Sequence, residues 1–360
     1  MKRRAFLALS GAAVAGSAAL RVQAAEEAVQ QPAGPPAAAG GAATVNTVRG
    51  SIDASSMGTT LVHEHVLVDF GGAATASRSR YDAEAVFRTA LPHLTEVQKR
   101  GCRTLVECTP AYLGRDPQLL ARLSEASGLQ ILTNTGYYGA ANDVAIPKHA
   151  YDETPSQLAA RWTAEFEAGI EGTRIRPGFV KIGVDAGPLS AIDRKLVEAG
   201  ALTHLATGLT LAIHTGNGVA AHEILGVLGT NGVSPEAYVW VHAQNEADPA
   251  SRGRAADEGA WVELDGVSPK SLDAHVAAVV DLRARKRLDR VLVSQDAGWY
   301  HVGEPDGGNY RSYAFLFDSF VPALRTAGLT EGEIRTLLVE NPARAFAVKR
   351  RLLAKTRASG

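Results

Sequence analysis

Two histidines one residue apart close an apolar run in Thr60-Leu61-Val62-His63-Glu64-His65. In an extended strand, residues i and i+2 share a face, so His63 and His65 point one way and Glu64 the other. Imidazole is the commonest metal-binding side chain, and two of them on one side make half a site. Other polar groups recur at the ends of later apolar runs. Lys181 lies in Gly178-Phe179-Val180-Lys181-Ile182-Gly183, His214 follows Leu211-Ala212-Ile213, His242 follows Val239-Trp240-Val241, and Asp296 follows Val293-Ser294-Gln295. Taken singly, each has an ordinary reading: a hydrogen-bonded core histidine, or an aspartate capping the next helix. Lys181 is harder to explain that way, because an ammonium in an apolar strand is costly to bury unless paired or neutral. A desolvated lysine gives up its proton and becomes nucleophilic. It can then form a Schiff base, or take up carbon dioxide to become a carbamate, an anionic ligand whose two oxygens can bridge two cations. Four histidines and a carboxylate around it favour the carbamate and metal.

The elements that must position these groups follow a repeating pattern. Short apolar or β-branched runs occur at 60–63, 103–108, 130–134, 178–182, 210–214, 238–242, 260–264 and 290–294. Amphipathic, helix-like stretches lie between them at 82–100, 116–126, 190–205, 219–228 and 268–285, and Thr154-Pro155 starts another with proline in the first turn. Strands alternating with helices imply a parallel sheet, since each return needs a crossover. Eight such strands are the number that closes a (β/α)8 TIM barrel, in which residues at the carboxyl ends of strands converge on one mouth. The rival is an open doubly wound sheet, disfavoured because no Gly-x-Gly-x-x-Gly turn follows the first run. Val45-Asn46-Thr47-Val48 and Ile52 suggest a hairpin before the main body.

Composition sets the limits. The chain has 360 residues, 46% hydrophobic, with a net charge of -1. That supports a well-buried core and argues against a nucleic-acid partner, which would need a basic face. Cys102 and Cys108 bracket one strand about 20 Å apart if extended, so both are expected as free thiols. Lys2-Arg3-Arg4, a mild apolar stretch and Val22-Gln23-Ala24 read as an export signal over 1–24. Its paired arginines suit twin-arginine transport of a folded protein, with a general secretory signal as the alternative. Either places the mature chain in the periplasm or outside the cell, with no membrane anchor once the signal is removed. Residues 25–43 are Ala, Pro, Gly and Gln with almost no large apolar side chain, and read as a disordered linker. A single (β/α)8 metal-site domain is expected over 44–350, then a tail at 351–360.

The motifs together resemble the phosphotriesterase-related family of the amidohydrolase superfamily. The likeness runs from about Thr44 to Val348. It is carried by Val45-Asn46-Thr47-Val48-Arg49-Gly50, Leu61-Val62-His63-Glu64-His65, Gly114-Arg115-Asp116 and Asn341-Pro342-Ala343-Arg344. The resemblance implies two divalent metal ions at the barrel mouth. His63, His65 and Asp296 would hold the more buried one, His214 and His242 the more exposed one, and carbamylated Lys181 and a hydroxide would bridge them. Zinc is the usual metal of such sites, with cobalt, manganese or iron as alternatives. Asp296 would act as general base, taking the proton of the attacking hydroxide.

The substrate loops are less decisive. Tyr138 falls where lactonases of the family carry a tyrosine facing the metals; it either contacts water or substrate, or packs as an ordinary aromatic. Gly266 stands where relatives place arginine or histidine, so neither assignment carries over. The stretch 297–304 is aromatic and Gly-rich and reads as a pocket lid, with Trp299 and Tyr300 lining the leaving-group side. The expectation is a hydrolase of small-molecule lactones or carboxylic esters with promiscuous phosphotriesterase activity. The alternative is a true organophosphate phosphotriesterase, and a remote one is a non-catalytic binding protein. Relatives suggest a homodimer.

Overall fold

The computed structural model describes residues 43–354. The expected export signal, all of the expected linker but Ala43, and the end of the expected tail lie outside them. The chain opens with the hairpin, β1 (Thr44–Thr47) and β2 (Gly50–Asp53), paired antiparallel with Thr47 opposite Gly50. Parallel strands follow: β3 (Thr60–Val68), β4 (Thr104–Glu107), β5 (Gln130–Leu132), β6 (Asn134–Thr135), β7 (Phe179–Val184), β8 (Thr210–Thr215), β9 (Tyr238–Val241), β10 (Trp261–Leu264), β11 (Val291–Val293) and β12 (Gly298–His301). β5 and β6 are two parts of one strand interrupted at Thr133, so β3–β4–β5 continues into β6 through β11. Where β11 returns to β3, the Asp296 N–H donates to the His63 carbonyl at 3.1 Å and the His63 N–H donates to Ser294 Oγ at 3.0 Å. The architecture is the (β/α)8 barrel.

Helices fill the crossovers, and polar caps fix where they start. Asp82, Asp116, Thr154 and Ser190 each accept an N–H of the first turn of the following helix, and Thr154 and Ser190 complete capping boxes with Gln157 and Asp193. The helix Pro249–Glu258 had no expectation in the sequence, because its buried residues, Ser251, Arg252, Gly253, Ala255 and Ala256, include no large apolar side chain; the short helices Val321–Thr326, Glu331–Arg335 and Asn341–Phe346 went unread as well. Among the described residues no helix is long and apolar enough to cross a membrane. Packing continues past residue 350: the buried Arg351 donates to the carbonyls of Arg344, Ala345 and Ala347, and Leu352 bridges to Val233.

The strands alternate two cores. Leu61, Leu105, Ile131, Val180, Leu211, Trp240 and Val262 face the helices. Val62, Val106, Leu132, Phe179, Ala212, Val239 and Leu292 face inward and meet Val45, Met57 and Phe346, which plug the amino end of the barrel. Strict alternation from Val62 would turn His63 outward. β3 avoids this with a bulge: Leu61 pairs with Leu105 and Glu64 with Glu107, so two residues of β3 oppose the single Val106. Val62 and His63 therefore both face the interior, the first in the plug and the second in the cavity above it.

The plug can be tested directly. Phe346 is fully buried with its ring 5.5 Å from that of Phe179. Phe346→Ala should cost about 3–5 kcal/mol of stability in a denaturant titration; a loss under about 1 kcal/mol would mean that the amino end is not packed as described.

Candidate metal centre

The structure brings His63, His65, Lys181, His214, His242 and Asp296 to one small cavity of about 80 Å³ at the carboxyl ends of the strands. Lys181 and His214 arrive by simple alternation, two residues along from the inward Phe179 and Ala212. His242 and Asp296 do not. Each lies just past its strand in left-handed backbone, with φ of 62° and 50°, which turns the side chain back over the cavity. Phe70, Cys108, Pro110, Leu113, Tyr138 and Trp299 complete the lining.

Most of the imidazoles are held by Nδ1. His63 Nδ1 lies 2.6 Å from Glu263 Oε1 and 3.2 Å from Asp265 Oδ2. His242 Nδ1 is 2.6 Å from Asp265 Oδ1, and His65 Nδ1 is 2.7 Å from Thr109 Oγ1, which itself donates to Glu107 at 2.5 Å. His214 is held more loosely, with Nδ1 3.1 Å from the Tyr138 hydroxyl. For His63 and His65 this arrangement leaves Nε2 facing Asp296 Oδ1, at 3.8 and 3.1 Å. Lys181 Nζ is 3.5 Å from His63 Nε2.

Electrostatics keeps these groups as lone-pair donors. Burial, helped by the Lys181 charge, pushes His63 down to about 3. Burial also lowers His65 and, with His242 adding to it, takes His214 well below the usual value. For His242 burial works downward, but Asp265 more than offsets it and the net shift is upward. Burial would raise Asp296, yet its contacts with His65 and His63 hold it at about 2. Asp265 is likewise held well below the usual carboxylate range against burial, by His242 and His63. Burial and the Asp265 charge push Glu263 well above it.

Two sets of donors are close enough to hold a cation, His63–His65–Asp296 and His63–His242–Asp265. Distances separate them. Ligands about 2.1 Å from a tetrahedral ion stand roughly 3.4 Å apart. The first set brackets that spacing; the 2.6 Å contact between His242 and Asp265 is a hydrogen bond. Asp296 Oδ1 is buried without a hydrogen-bond partner, which is rare for a carboxylate. An acceptor left unpaired beside two Nε2 atoms fits a missing cation, so the residues present suit a metal. A larger cavity of about 350 Å³, lined by the loops at 76–81 and 111–115, offers no comparable donor set among the described residues, and its Arg115 is already paired with Glu165 and Glu171.

The loop expectations fared unevenly. Trp299 lines the cavity, its ring centroid 4.4 Å from that of His65 and its Nε1 donating to the Asp296 carbonyl at 2.7 Å. Tyr138 lines it too, with its hydroxyl on His214. Tyr300 does not: the expected lid begins as β12, which pairs with β3, and alternation sends Tyr300 into the packed core beside Gly307. Gly266 faces Gln244 and His275 rather than the cavity. Cys102 and Cys108 are free thiols, as expected. Glu263, Asp265, Thr109 and Glu107 went unread in the sequence. Only Glu263 and Asp265 carried a signal, two acids at i and i+2 within an apolar run.

A cavity that gathers four imidazoles, a lysine and a carboxylate at the mouth of a parallel barrel is the kind of site with which hydrolases activate water. The chain belongs to the phosphotriesterase family, whose sequence model matches residues 43–346. The phosphotriesterase homology protein of Escherichia coli is 29% identical over 293 residues, covering 80% of this chain and 98% of that protein. Among solved structures, the organophosphorus hydrolase of Deinococcus radiodurans superposes with a TM-score of 0.76 at 27% identity, covering 86% of this chain and 98% of the other. A structure described as molecular engineering of organophosphate hydrolysis activity from a weak promiscuous lactonase template gives 0.76 at 26% identity, covering 84% and 100%. The protein is a hydrolase of small-molecule substrates, which sets aside a purely binding role.

The depressed His63 has a consequence for stability. The unfolded chain protonates His63 near 6.5 and the folded chain only near 3. Between those values the unfolded state binds the extra proton, so the metal-free fold loses stability as pH falls through that window. Glu64 and Glu107, pushed up to about 8 and about 7 by burial, act in the opposite sense over the same window, so the test is the difference between chelated wild type and His63→Asn. The wild type should lose more melting temperature than the variant between pH 7 and pH 5, and an equal loss would contradict a neutral, buried His63.

Proposed function

We propose that this chain is a binuclear metal-dependent hydrolase of neutral lactones or related carboxylic esters. The observation that carries the reading is the unpartnered Asp296 Oδ1 facing the Nε2 atoms of His63 and His65, with Lys181 beside them. His63, His65 and Asp296 would hold one ion and His214 and His242 the other. Lys181, carbamylated by carbon dioxide, would lie between. Zinc suits this nitrogen and oxygen donor set, and cobalt, manganese and iron are alternatives. Two such ions would lower the pKa of water to near neutrality and draw electron density from the carbonyl or phosphoryl oxygen of the substrate.

The protein's own groups do the rest. Asp296, whose carboxylate faces the imidazoles of His63 and His65, can take the proton of the attacking water. The loop at 294–297 fixes its carboxylate at the cavity floor. Phe70, Pro110, Leu113 and Trp299 give the substrate an apolar wall and keep bulk water from the reacting centre. Apart from Lys181, no lysine or arginine is among the lining residues, so the cavity suits a neutral substrate better than an anionic phosphate. A neutral aryl phosphotriester meets the same requirement, and hydrolysis of such triesters is the second reading. The resemblance to an organophosphorus hydrolase and to a lactonase-derived structure supports keeping both.

The test is metal content followed by activity. Protein purified without chelator should carry about two metals per chain, and lactone turnover should far exceed aryl phosphotriester turnover. Dominant triester turnover would support the second reading. Metal-free protein that stays inactive when metal and bicarbonate are restored would remove the carbamate-bridged site. Asp296→Asn should lower kcat/KM by about 10²–10⁴-fold on either substrate; a change under threefold would show that Asp296 is not the base.

A further inference from the structure

Glu64, the residue between the two histidines, faces away from the cavity and is fully buried. Its oxygens meet one turn, the one that carries Asp296. Oε1 accepts the Ser294 hydroxyl at 2.8 Å and the Gln295 N–H at 3.1 Å, while Oε2 accepts the Ala297 N–H at 2.7 Å. The amides on either side of Asp296 are thus tied to a single carboxyl group. Asp296 itself has φ 50°, a conformation that an L residue adopts rarely and keeps only where its surroundings impose it. β3 also grips this turn through its backbone: Asp296 N–H donates to the His63 carbonyl at 3.1 Å and His65 N–H donates to the Ala297 carbonyl at 2.9 Å.

We infer that Glu64 is a positioning residue, which holds the 294–297 turn in the left-handed conformation that aims the Asp296 carboxylate at His63 and His65. The inference rests on the metal-hydrolase reading above. The chemistry of the contact explains why a carboxyl group is needed. Backbone amides can only donate, and two of them approach different oxygens of Glu64. A glutamine of the same shape accepts at one end only, so its NH2 would oppose either the Gln295 or the Ala297 amide. One amide would then be buried without an acceptor, and the turn would relax to relieve it. The argument does not depend on the proton of Glu64, because Ser294 Oγ can accept as well as donate. Asp296 sits between the two anchored amides, so a shift of either moves its carboxylate relative to both imidazoles.

The test compares metal-free wild type, Glu64→Gln and Glu64→Asp, each titrated with cobalt(II), with melting temperatures recorded alongside. Glu64→Gln should bind cobalt about 10–100-fold more weakly than wild type, with an altered visible absorption band. The base limb of its kcat profile on a lactone should shift while KM changes little. Glu64→Asp keeps two accepting oxygens and should recover part of the loss. Wild-type affinity and an unchanged band in Glu64→Gln, whatever its melting temperature, would overturn the positioning role and leave Glu64 a structural residue. If Glu64→Gln does not fold, Glu64→Asp decides: weaker cobalt binding than wild type supports the role, and equal binding overturns it. Wild-type protein that takes up no cobalt would overturn the metal-site reading itself, an outcome distinct from loss of the positioning role alone.

Discussion

The site depends on where Nδ1 of each imidazole is spent. A neutral histidine has one donor and one acceptor nitrogen, and a hydrogen bond at one fixes what the other can do. His63 and His242 spend Nδ1 on Glu263 of β10 and on Asp265 just past its end, and His65 spends it on Thr109. Asp265 serves both His63 and His242, so one buried carboxylate sets the orientation of two rings that come from opposite parts of the chain. The charge on Asp265 is tolerable in the barrel because these two imidazoles answer it; Glu263, with fewer donors, is pushed toward its neutral form. Such outer partners of metal-binding histidines fix ring orientation and raise basicity, and their loss weakens metal binding nearly as a lost ligand does.

The barrel was legible in the sequence because its signal is repeated. Each unit states the same alternation of apolar run and amphipathic helix, and helix starts such as Asp116-Pro117 and Thr154-Pro155 name their own caps. The inward positions of Lys181 and His214 followed from a period of two. His242 and Asp296 were placed just past strand ends correctly, whereas His63, expected at a strand end, lies inside β3, which runs on to Val68; the reasons all three face the cavity could not be read. One needs a bulge in β3 and two need left-handed backbone, and none of these has a residue signature as glycine would supply. In each case tertiary bonds impose the conformation, and pattern reasoning has no access to them.

The loops were read least well, and for a related reason. Tyr300 was expected at the pocket because the stretch 297–304 looks like an aromatic, glycine-rich loop. The pairing of Gly298 with His65 makes it a strand, which alternates its side chains and keeps Trp299, with His301 stacked beside it, on the cavity side. That pairing needs glycine at 298, where a Cβ would run into the His65 carbonyl and the Tyr313 hydroxyl. The glycine that suggested mobility is instead a requirement of close packing. Phe70 and Leu113, which share the apolar wall with Trp299, come from connections with no pattern of their own.

A buried polar group without a partner is ordinarily a defect, and its cost is greatest for a charge. The other buried acids at this end of the barrel are satisfied: Glu64 takes bonds from three donors, Asp265 from both imidazoles and Glu107 from Thr109 and Val66. Asp296 Oδ1 stands out against that background, being ionised, buried and unpaired. Folding alone would not select such an atom at the meeting point of two imidazoles and a lysine. A cation relieves it, because a positive charge there turns the repulsion among lone pairs into attraction and removes the cost of the bare carboxylate. The same reasoning locates substrate choice elsewhere. The polar floor is shared by any neutral ester or triester whose oxygen can be drawn toward a cation, whereas the apolar wall of Phe70, Pro110, Leu113 and Trp299 differs in shape, not in charge. Discrimination between a lactone and a phosphotriester must then come from how that wall fits a planar carbonyl or a tetrahedral phosphorus, a difference of steric fit that small changes in the loops can reverse.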